Sequence, residues 1–532
     1  MGAGSVTFTA RAKDKDSNLD YLDFDLWPTG KWNTTGDILG ATGKVSTGSA
    51  GGDALRSTPA FSTSKLTNGT LYSWRVRSID DKGATSGYSP AKTPCRFILD
   101  TTAPKRPKVT STDFPDADGS ENGFGNDAED ANWSKLKFGT AGTFTVHAGS
   151  TDTDRFEYSF NGSNYNFSKS RPAGTAVTTP TTITGAKPPT AGPNVLYIRA
   201  VDSAGNASTP ALYFFYVSPR DEADSPGDFT GDDLADLMVV TAAGNLALYP
   251  SQATPDLTRA SGDLDYSMPG AYRANPAKDP GSEDGLPPFV AAPSGHFKGS
   301  LITHNGDIYG GDGLQDLVVR VGGKLWVYPG DGYGAVNVDK RREIILPAGA
   351  PSPASMDQIV AAGDITGDGR TDFFARAGTE LWALVGYHGA TISSATRLTS
   401  TLWDERDIVT VGDVSGDGVA DMIYRTNPDA SLRLRKGIAN TSGNGVDLNS
   451  LASGADSAAG ADIAYSGGGW SRASIPHIIG TPDVTGDSVP DVWTVRADGS
   501  VRIYAGDTGE LPGAGAEIVT ARSYWKDRIA IG

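Results

Sequence analysis

The chain has 532 residues, 20% charged and 38% hydrophobic, enough for about three domains at roughly 100–200 residues each. Its 46 Lys and Arg against 63 Asp and Glu leave a formal charge of −17, which repels a phosphate backbone and an anionic bilayer and argues against nucleic acid as a partner. A single cysteine, Cys95, excludes an intrachain disulfide framework, a paired-cysteine redox centre and an all-cysteine zinc site, while 67 Gly and 32 Pro favour short β elements joined by turns.

The first residues, Met1-Gly2-Ala3-Gly4, have no apolar core of a signal peptide, and SVTFTARA at 5–12 already alternates as a strand does. The chain is therefore expected to begin inside a domain, with any export signal upstream. No stretch approaches the roughly 20 apolar residues of a membrane span, so no membrane insertion is expected. A repeat follows: RSIDDKGATS at 77–86 matches RAVDSAGNAS at 199–208, and each copy lies between alternating or apolar runs. Strand, polar turn and strand in two units of about a hundred residues predict two β-sandwich modules. The joint DTTAPKRP at 100–107 lacks periodicity and holds two prolines, which predicts an extended linker. A second joint, SPRDEADSPG at 218–227, is polar and charged. The expected domains are residues 1–104, 105–219 and 220–532. The DTTAP joint and the R-x-x-D-x-x-G turns resemble the tandem fibronectin-III-like or immunoglobulin-like modules of secreted actinobacterial multidomain proteins, a resemblance that implies spacers or weak adhesion surfaces.

From residue 228 one nine-residue pattern recurs: DFTGDDLAD at 228–236, DITGDGRTD at 364–372, DVSGDGVAD at 413–421 and DVTGDSVPD at 483–491, with DIYGGDGLQD at 307–316 carrying one extra residue. Oxygens at positions 1, 3 and 5, a carbonyl at 7 and a carboxylate at 9 can wrap a hard cation, with a glycine permitting the sharp turn between them. Calcium suits a nearly complete oxygen cage better than magnesium, which keeps its waters. The candidate ligands are Asp228, Thr230, Asp232 and Asp236; Asp307, Asp312 and Asp316; Asp364, Thr366, Asp368 and Asp372; Asp413, Ser415, Asp417 and Asp421; and Asp483, Thr485, Asp487 and Asp491. The third and fourth sets are the most regular. In the first, Asp233 stands where glycine is usual, but Asp tolerates left-handed backbone. Ser488 takes that place in the last set, and Tyr309 and Gly310 interrupt the second, so these two sets are the weakest. Asp, Gly and Thr clusters are also ordinary turn composition; five copies with Asp at positions 1, 5 and 9 favour the cation.

Each motif is followed by an apolar strand (LMVV, LVVR, FFAR, MIYR, VWTVR), a turn and a second strand (LALY, LWVY, LWALV, LRLR, VRIY). The 305 residues from 228 to the end give about 61 per unit, the size of one four-stranded propeller blade. Residues 220–532 resemble the FG-GAP or VCBS repeat family, whose β-propellers include integrin α heads and several calcium-containing lectins. WKDRIAIG at 525–532 repeats the lead-in WDERDIVTVG of the fourth motif, whereas the first motif's lead-in is charged and lacks an apolar strand. The last strand is thus expected to complete the first blade in a five-bladed ring; a chain that continues into a sixth repeat is the alternative.

The residues contain no HExxH, GxSxG or P-loop motif, and the five histidines are scattered, His304 alone lying close to a motif. Trp326, Trp382, Trp403, Trp470, Trp493 and Trp525 could stack on sugar rings, but their strand positions suggest packing. The acidic loop at 113–132 could take a further cation, although a solvated loop explains it as well. The composite expectation is an all-β extracellular or cell-surface protein, two sandwich modules displaying a calcium-stabilised propeller that binds a glycan or another extracellular protein, with no catalytic residues assigned and its oligomeric state left open. A polysaccharide-active lyase or hydrolase, and a non-catalytic spacer, are the alternatives.

Overall fold

Strands dominate because β-branched and aromatic residues alternate with polar ones between Gly, Asp and Asn turns. The computed structural model describes residues 2, 4–48, 52–117, 132–251, 267–274, 290–452, 462–481 and 483–532. It is nearly all β, 43% strand and 5% helical. In the first module, Leu19–Pro28 and Leu71–Asp80 form the middle of a four-stranded sheet edged by Lys44–Ser46 and Cys95–Ile98. Two small antiparallel pairs, Thr9–Lys13 with Asp53–Ser57 and Ser5–Val6 with Phe61–Ser62, cover it. Leu22, Phe24 and Leu26, two apart and therefore on one face, meet Val6, Phe8 and Phe61 in a shared core. The second module repeats the plan with five strands against three, around Phe144, Phe156, Ile183, Ile198 and Phe215.

The repeated turns are equivalent in detail. Asp80 accepts backbone N–H groups of Lys82 and Ala84, and Asp202 accepts that of Asn206. Gly83 and Gly205 hold φ of 83° and 91°, and Ser86 and Ser208 accept the N–H of Ser78 and Ala200. The first joint is extended, as expected, but it is tied to both modules. Asn68 bonds Thr101 and Thr102, Asn206 Nδ2 donates to the Asp100 carbonyl, and the Lys105 N–H donates to Ser150 Oγ. The second joint also docks: Asp224 bonds the backbone of Gly313 and Gln315. Of the acidic loop, residues 118–131 lie outside the described residues, and Asp113 accepts both the N–H and the hydroxyl of Thr143.

Among the described residues beyond 228, beside a small three-stranded sheet of Val290–Ala291, Ala271–Ala274 and Val336–Asn337, stand five four-stranded antiparallel sheets. Their inner strands are Ala530–Ile531, Leu301–Thr303, Gln358–Gly363, Arg406–Gly412 and His477–Thr481, each in contact with the next and the last in contact with the first. This closed cycle is the arrangement of a five-bladed propeller. The C-terminal strand completes the first sheet by pairing antiparallel with Leu237–Val240, Val239 opposite Ile531 and Val240 opposite Ala530. Side chains bridge neighbouring sheets: Gln358 bonds both backbone groups of Ile408, the Ala361 N–H donates to Thr303 Oγ1, and His477 Nε2 meets the Arg528 carbonyl. Trp403, Trp470, Trp493 and Trp525 are buried in the packing between strands, while Trp326 and Trp382 lie half-buried at its edge. Deleting residues 525–532 should therefore remove Trp525, whose loss alone costs about 3–5 kcal/mol, and bare the Leu237–Val240 edge. Melting temperature should fall and light scattering should report self-association; a truncated chain that stays monomeric with unchanged melting would show that this pairing does not hold the ring.

Candidate functional site

Four of the five aspartate loops follow the inner strands and the first follows the second joint, yet all share one backbone. The fourth-position glycines, and the sixth-position residues whether Gly369, Gly418, Asp233 or Ser488, all take positive φ, Asp233 and Ser488 at 70°. The first aspartate makes the turn. Asp364 accepts the N–H groups of Gly367, Asp368 and Gly369, and Asp228, Asp307, Asp413 and Asp483 act in the same way. The extra residue of the second loop is absorbed before Gly311, since Asp307 still reaches Gly311 and Gly313.

The ninth aspartate is buried in all five loops. Its Oδ2 accepts loop N–H groups, from Phe229 and Thr230, Ile308 and Tyr309, Thr366, Ser415, or Val484. Its Oδ1 accepts one N–H from just beyond the third strand, that of Ser251, Gly330, Gly437 or Gly506, or from within it, that of Gly386 in Glu380–His388. A Cβ at Gly330, Gly437 or Gly506 would stand 2.0, 2.1 or 2.2 Å from the carbonyl oxygen preceding that aspartate, so only glycine fits. The first sheet has Ser251 instead, and its hydroxyl donates to the corresponding Ala235 carbonyl.

The first and ninth aspartates thus have structural work that needs no ion. The groups left over are the position-3 hydroxyl and one oxygen of the fifth aspartate, whose Oδ1 accepts the N–H two residues on in every loop. In the first loop these remaining groups are stranded: Asp232, 5% exposed, has a buried Oδ2 with no hydrogen-bond partner. The hydroxyls of Thr230 and Ser415 lean towards Asp236 and Asp421 without completing a hydrogen bond. Thr366 and Thr485 donate to Asp372 and Asp483, and Tyr309 Oη turns away to the Lys340 carbonyl. The donor set of hard oxygens fits a calcium ion best in the first loop, second best in the fourth. No loop brings three carboxylates within 4.8 Å of one another among the described residues. A bound ion would draw the fifth-position carboxylate inward.

Burial, followed by repulsion from neighbouring carboxylates, pushes Asp232 and Asp236 well above the usual carboxylate range. Burial also raises Asp316 and Asp491 to about 6, and Asp224, which packs between the first two loops, to about 7.

A cavity of about 550 Å³ runs along the inner strands, lined by residues from all five. At the end away from the loops, Asp407 is gripped by three arginines. Arg425 Nη2 lies 2.6 Å from it, Arg472 Nη2 2.7 Å and Arg376 Nη1 2.8 Å. Burial would raise Asp407, but the hydrogen bonds from Arg472 and the charge of Arg425 outweigh it and hold the carboxyl below its ordinary range. It is an anchor and not a proton donor at neutral pH. Asp404 and Asp357 add their charge nearby, and Arg472 remains 42% exposed. The sequence reading assigned none of these residues. The signal in the sequence is an arginine four residues past the last aspartate of the motif in three repeats, Arg320, Arg376 and Arg425, each within an apolar strand. His304 is half-buried, and desolvation pushes it down to about 4, so it stands neutral.

Without divalent cations, the ring should lose stability as pH rises from about 4 to 7. Asp316 and Asp491 titrate higher in the folded than in the unfolded chain, so the folded state binds more protons in this window, and each withdraws on the order of 2–3 kcal/mol across it. Thermal melts in chelator at several pH values check this; a ring equally stable at both ends would contradict it.

No family model matches the chain, and no curated protein does either. Among solved structures, fibronectin-III-like modules of Clostridium thermocellum CbhA align with TM-score 0.24 and 14% identity over 41% of this chain and 87% of theirs. An Agrocybe aegerita lectin described as recognising non-reducing terminal N-acetylglucosamine aligns with TM-score 0.30 and 12% identity, covering 77% and 94%. The BP39L lectin of Burkholderia pseudomallei aligns with TM-score 0.27 and 12% identity, covering 85% and 98%.

Proposed function

We propose that this chain is an extracellular or cell-surface recognition protein in which two sandwich modules display a calcium-stabilised five-bladed ring of the FG-GAP or VCBS kind, and that the ring binds a glycan. The observation that carries the binding reading is the open cavity of about 550 Å³ with its arginine-rich mouth. Arg472, 42% exposed and held by Asp407 and by the Asp404 and Arg406 carbonyls, keeps the outer edge of its planar guanidinium for hydroxyl and carboxylate oxygens with little entropy left to lose, while Arg376 and Arg425 are spent inside on Asp407 and backbone carbonyls. A surface protein bearing an acidic side chain could use the same mouth. No helix among the described residues is long and apolar enough to cross a membrane.

A glycan array probed with the intact chain, followed by analysis of the bound fraction, tests the reading. Retention of unchanged ligand supports recognition; release of shortened or unsaturated products would replace it with a polysaccharide-active enzyme. Arg472→Ala leaves Arg376 and Arg425 to neutralise Asp407, so it should keep the fold and weaken binding by about 10–100-fold, the range for hydrogen bonds to a charged group. Unchanged binding by this variant would move the ligand elsewhere.

Calcium as the stabilising ion rests on the stranded Asp232 oxygen and the acidic donor set around it. Calcium at about a hundredfold above its dissociation constant adds about 2.7 kcal/mol per site. The ring's melting temperature should rise accordingly, and Asp232→Asn should remove one ion by elemental analysis. A ring that melts alike with calcium and with chelator would sink the assignment.

A further inference from the structure

We infer that Asp100, Asp152 and Asp202 form a second kind of divalent-cation site, one that locks the first joint onto the second sandwich module. It owes nothing to the ring loops. Asp100 ends the first module, Asp152 lies in the turn before the strand Thr153–Phe160, and Asp202 closes the strand Gly192–Asp202. Each offers a carboxylate oxygen, and the three oxygens all lie within 4.8 Å of one another. That is the span across a calcium ion with ligands at about 2.4 Å on either side. Asp100 accepts the Thr102 N–H and Asp202 accepts from Asn206, but among the described residues none of the three pairs with a lysine or arginine, so three carboxylates meet without a cation where Asp202 is 1% exposed. Repulsion at such distances favours a cation or an open joint.

A second observation points into the same place. Thr153 is 4% exposed, and its Oγ1 is buried without a hydrogen-bond partner. It sits directly opposite Asp202 in the antiparallel ladder, so the two side chains share a face. That face is the core side, since Leu196, Ile198 and Ala200, spaced by two from Asp202, are all buried. The hydroxyl therefore lies on the face that carries Asp202 and has no hydrogen-bond partner, as a neutral fourth ligand awaiting its ion would. Asn206 keeps the joint in reach, its Nδ2 donating 2.8 Å to the Asp100 carbonyl and 2.8 Å to Asp202 Oδ2. Calcium is the fitting class, because every donor is oxygen and the donors come from three loosely related segments, whereas magnesium demands a tight octahedron. The equivalent turn in the first module, at Asp80, belongs to no such cluster among the described residues. The site belongs to the joint.

Tryptic cleavage after the exposed Lys105 reads whether the joint is open. With the full chain and calcium at about a hundredfold above the dissociation constant, the open joint should be about a hundredfold rarer than in chelator, and cleavage correspondingly slower. Asp152→Asn, which removes an exposed carboxylate, should abolish this protection and lose one ion by elemental analysis while leaving the calcium-dependent melting of the ring unchanged. Thr153→Val should raise the calcium concentration needed for protection. Equal cleavage in calcium and chelator, or full protection in Asp152→Asn, would overturn the inference. Because the ring loops are read by melting and the joint by cleavage, failure of one assignment leaves the other standing.

Discussion

A buried carboxylate, repeated five times, organises the ring. Asp236, Asp316, Asp372, Asp421 and Asp491 each gather N–H groups from their own loop and one from the third strand or just beyond it, so a single side chain ties the loop to the third strand of its sheet. The backbone donors would otherwise be buried and unpaired where the chain turns, which costs about 1–3 kcal/mol each. The carboxylate in turn requires the close approach that Gly330, Gly437 and Gly506 permit. Spacing, glycine and aspartate are one device.

That device explains why the aspartates recur without deciding what else they do. Five repeats at fixed spacing read as a cation cage, and oxygen geometry is a sound reason for aspartate at those positions. The same residues, however, are what a tight loop with many inward N–H groups selects. The two explanations separate at the third and fifth positions, where the backbone asks for less. There the first loop, which departs from the consensus at Asp233, holds the most deeply buried unpartnered oxygen, while the regular third loop has its Thr366 hydroxyl already engaged. Regularity of sequence and readiness for an ion are different properties.

Much of the architecture was legible because it is local. The five strand-turn-strand units, the left-handed backbone at Asp233 and the return of the last strand to the first sheet all follow from periodicity, residue type and the imbalance between the two ends of the repeat region. Tryptophan burial followed from strand position. What stayed hidden was assembled from distant segments. Asp407 meets Arg376, Arg425 and Arg472 from three different sheet and loop elements, and Asp100, Asp152 and Asp202 lie about fifty residues apart in sequence. No window of sequence contains either cluster. The first joint divides in the same way: its prolines make its extended course visible, but the Asn68, Ser150 and Asn206 groups that hold it are remote.

The two charged features of the ring stand at opposite ends of the same strands. Arg406–Gly412 begins at the arginine-bound Asp407 and ends one residue before Asp413, the first aspartate of its loop. Seven residues at about 3.3 Å each put on the order of 20 Å between them, beyond the Debye length of about 8 Å at physiological salt. An ion in the loops could therefore neither bridge to a ligand at the cavity mouth nor pull on it through solvent. On the reading proposed above, calcium acts on binding only by holding the five sheets in register, so that Asp407 and its arginines keep one geometry. This distinguishes the ring from any arrangement in which the cation itself touches the sugar. It also fixes the order of events on chelation: the sheets loosen first, and affinity falls because the arginine mouth loses its shape.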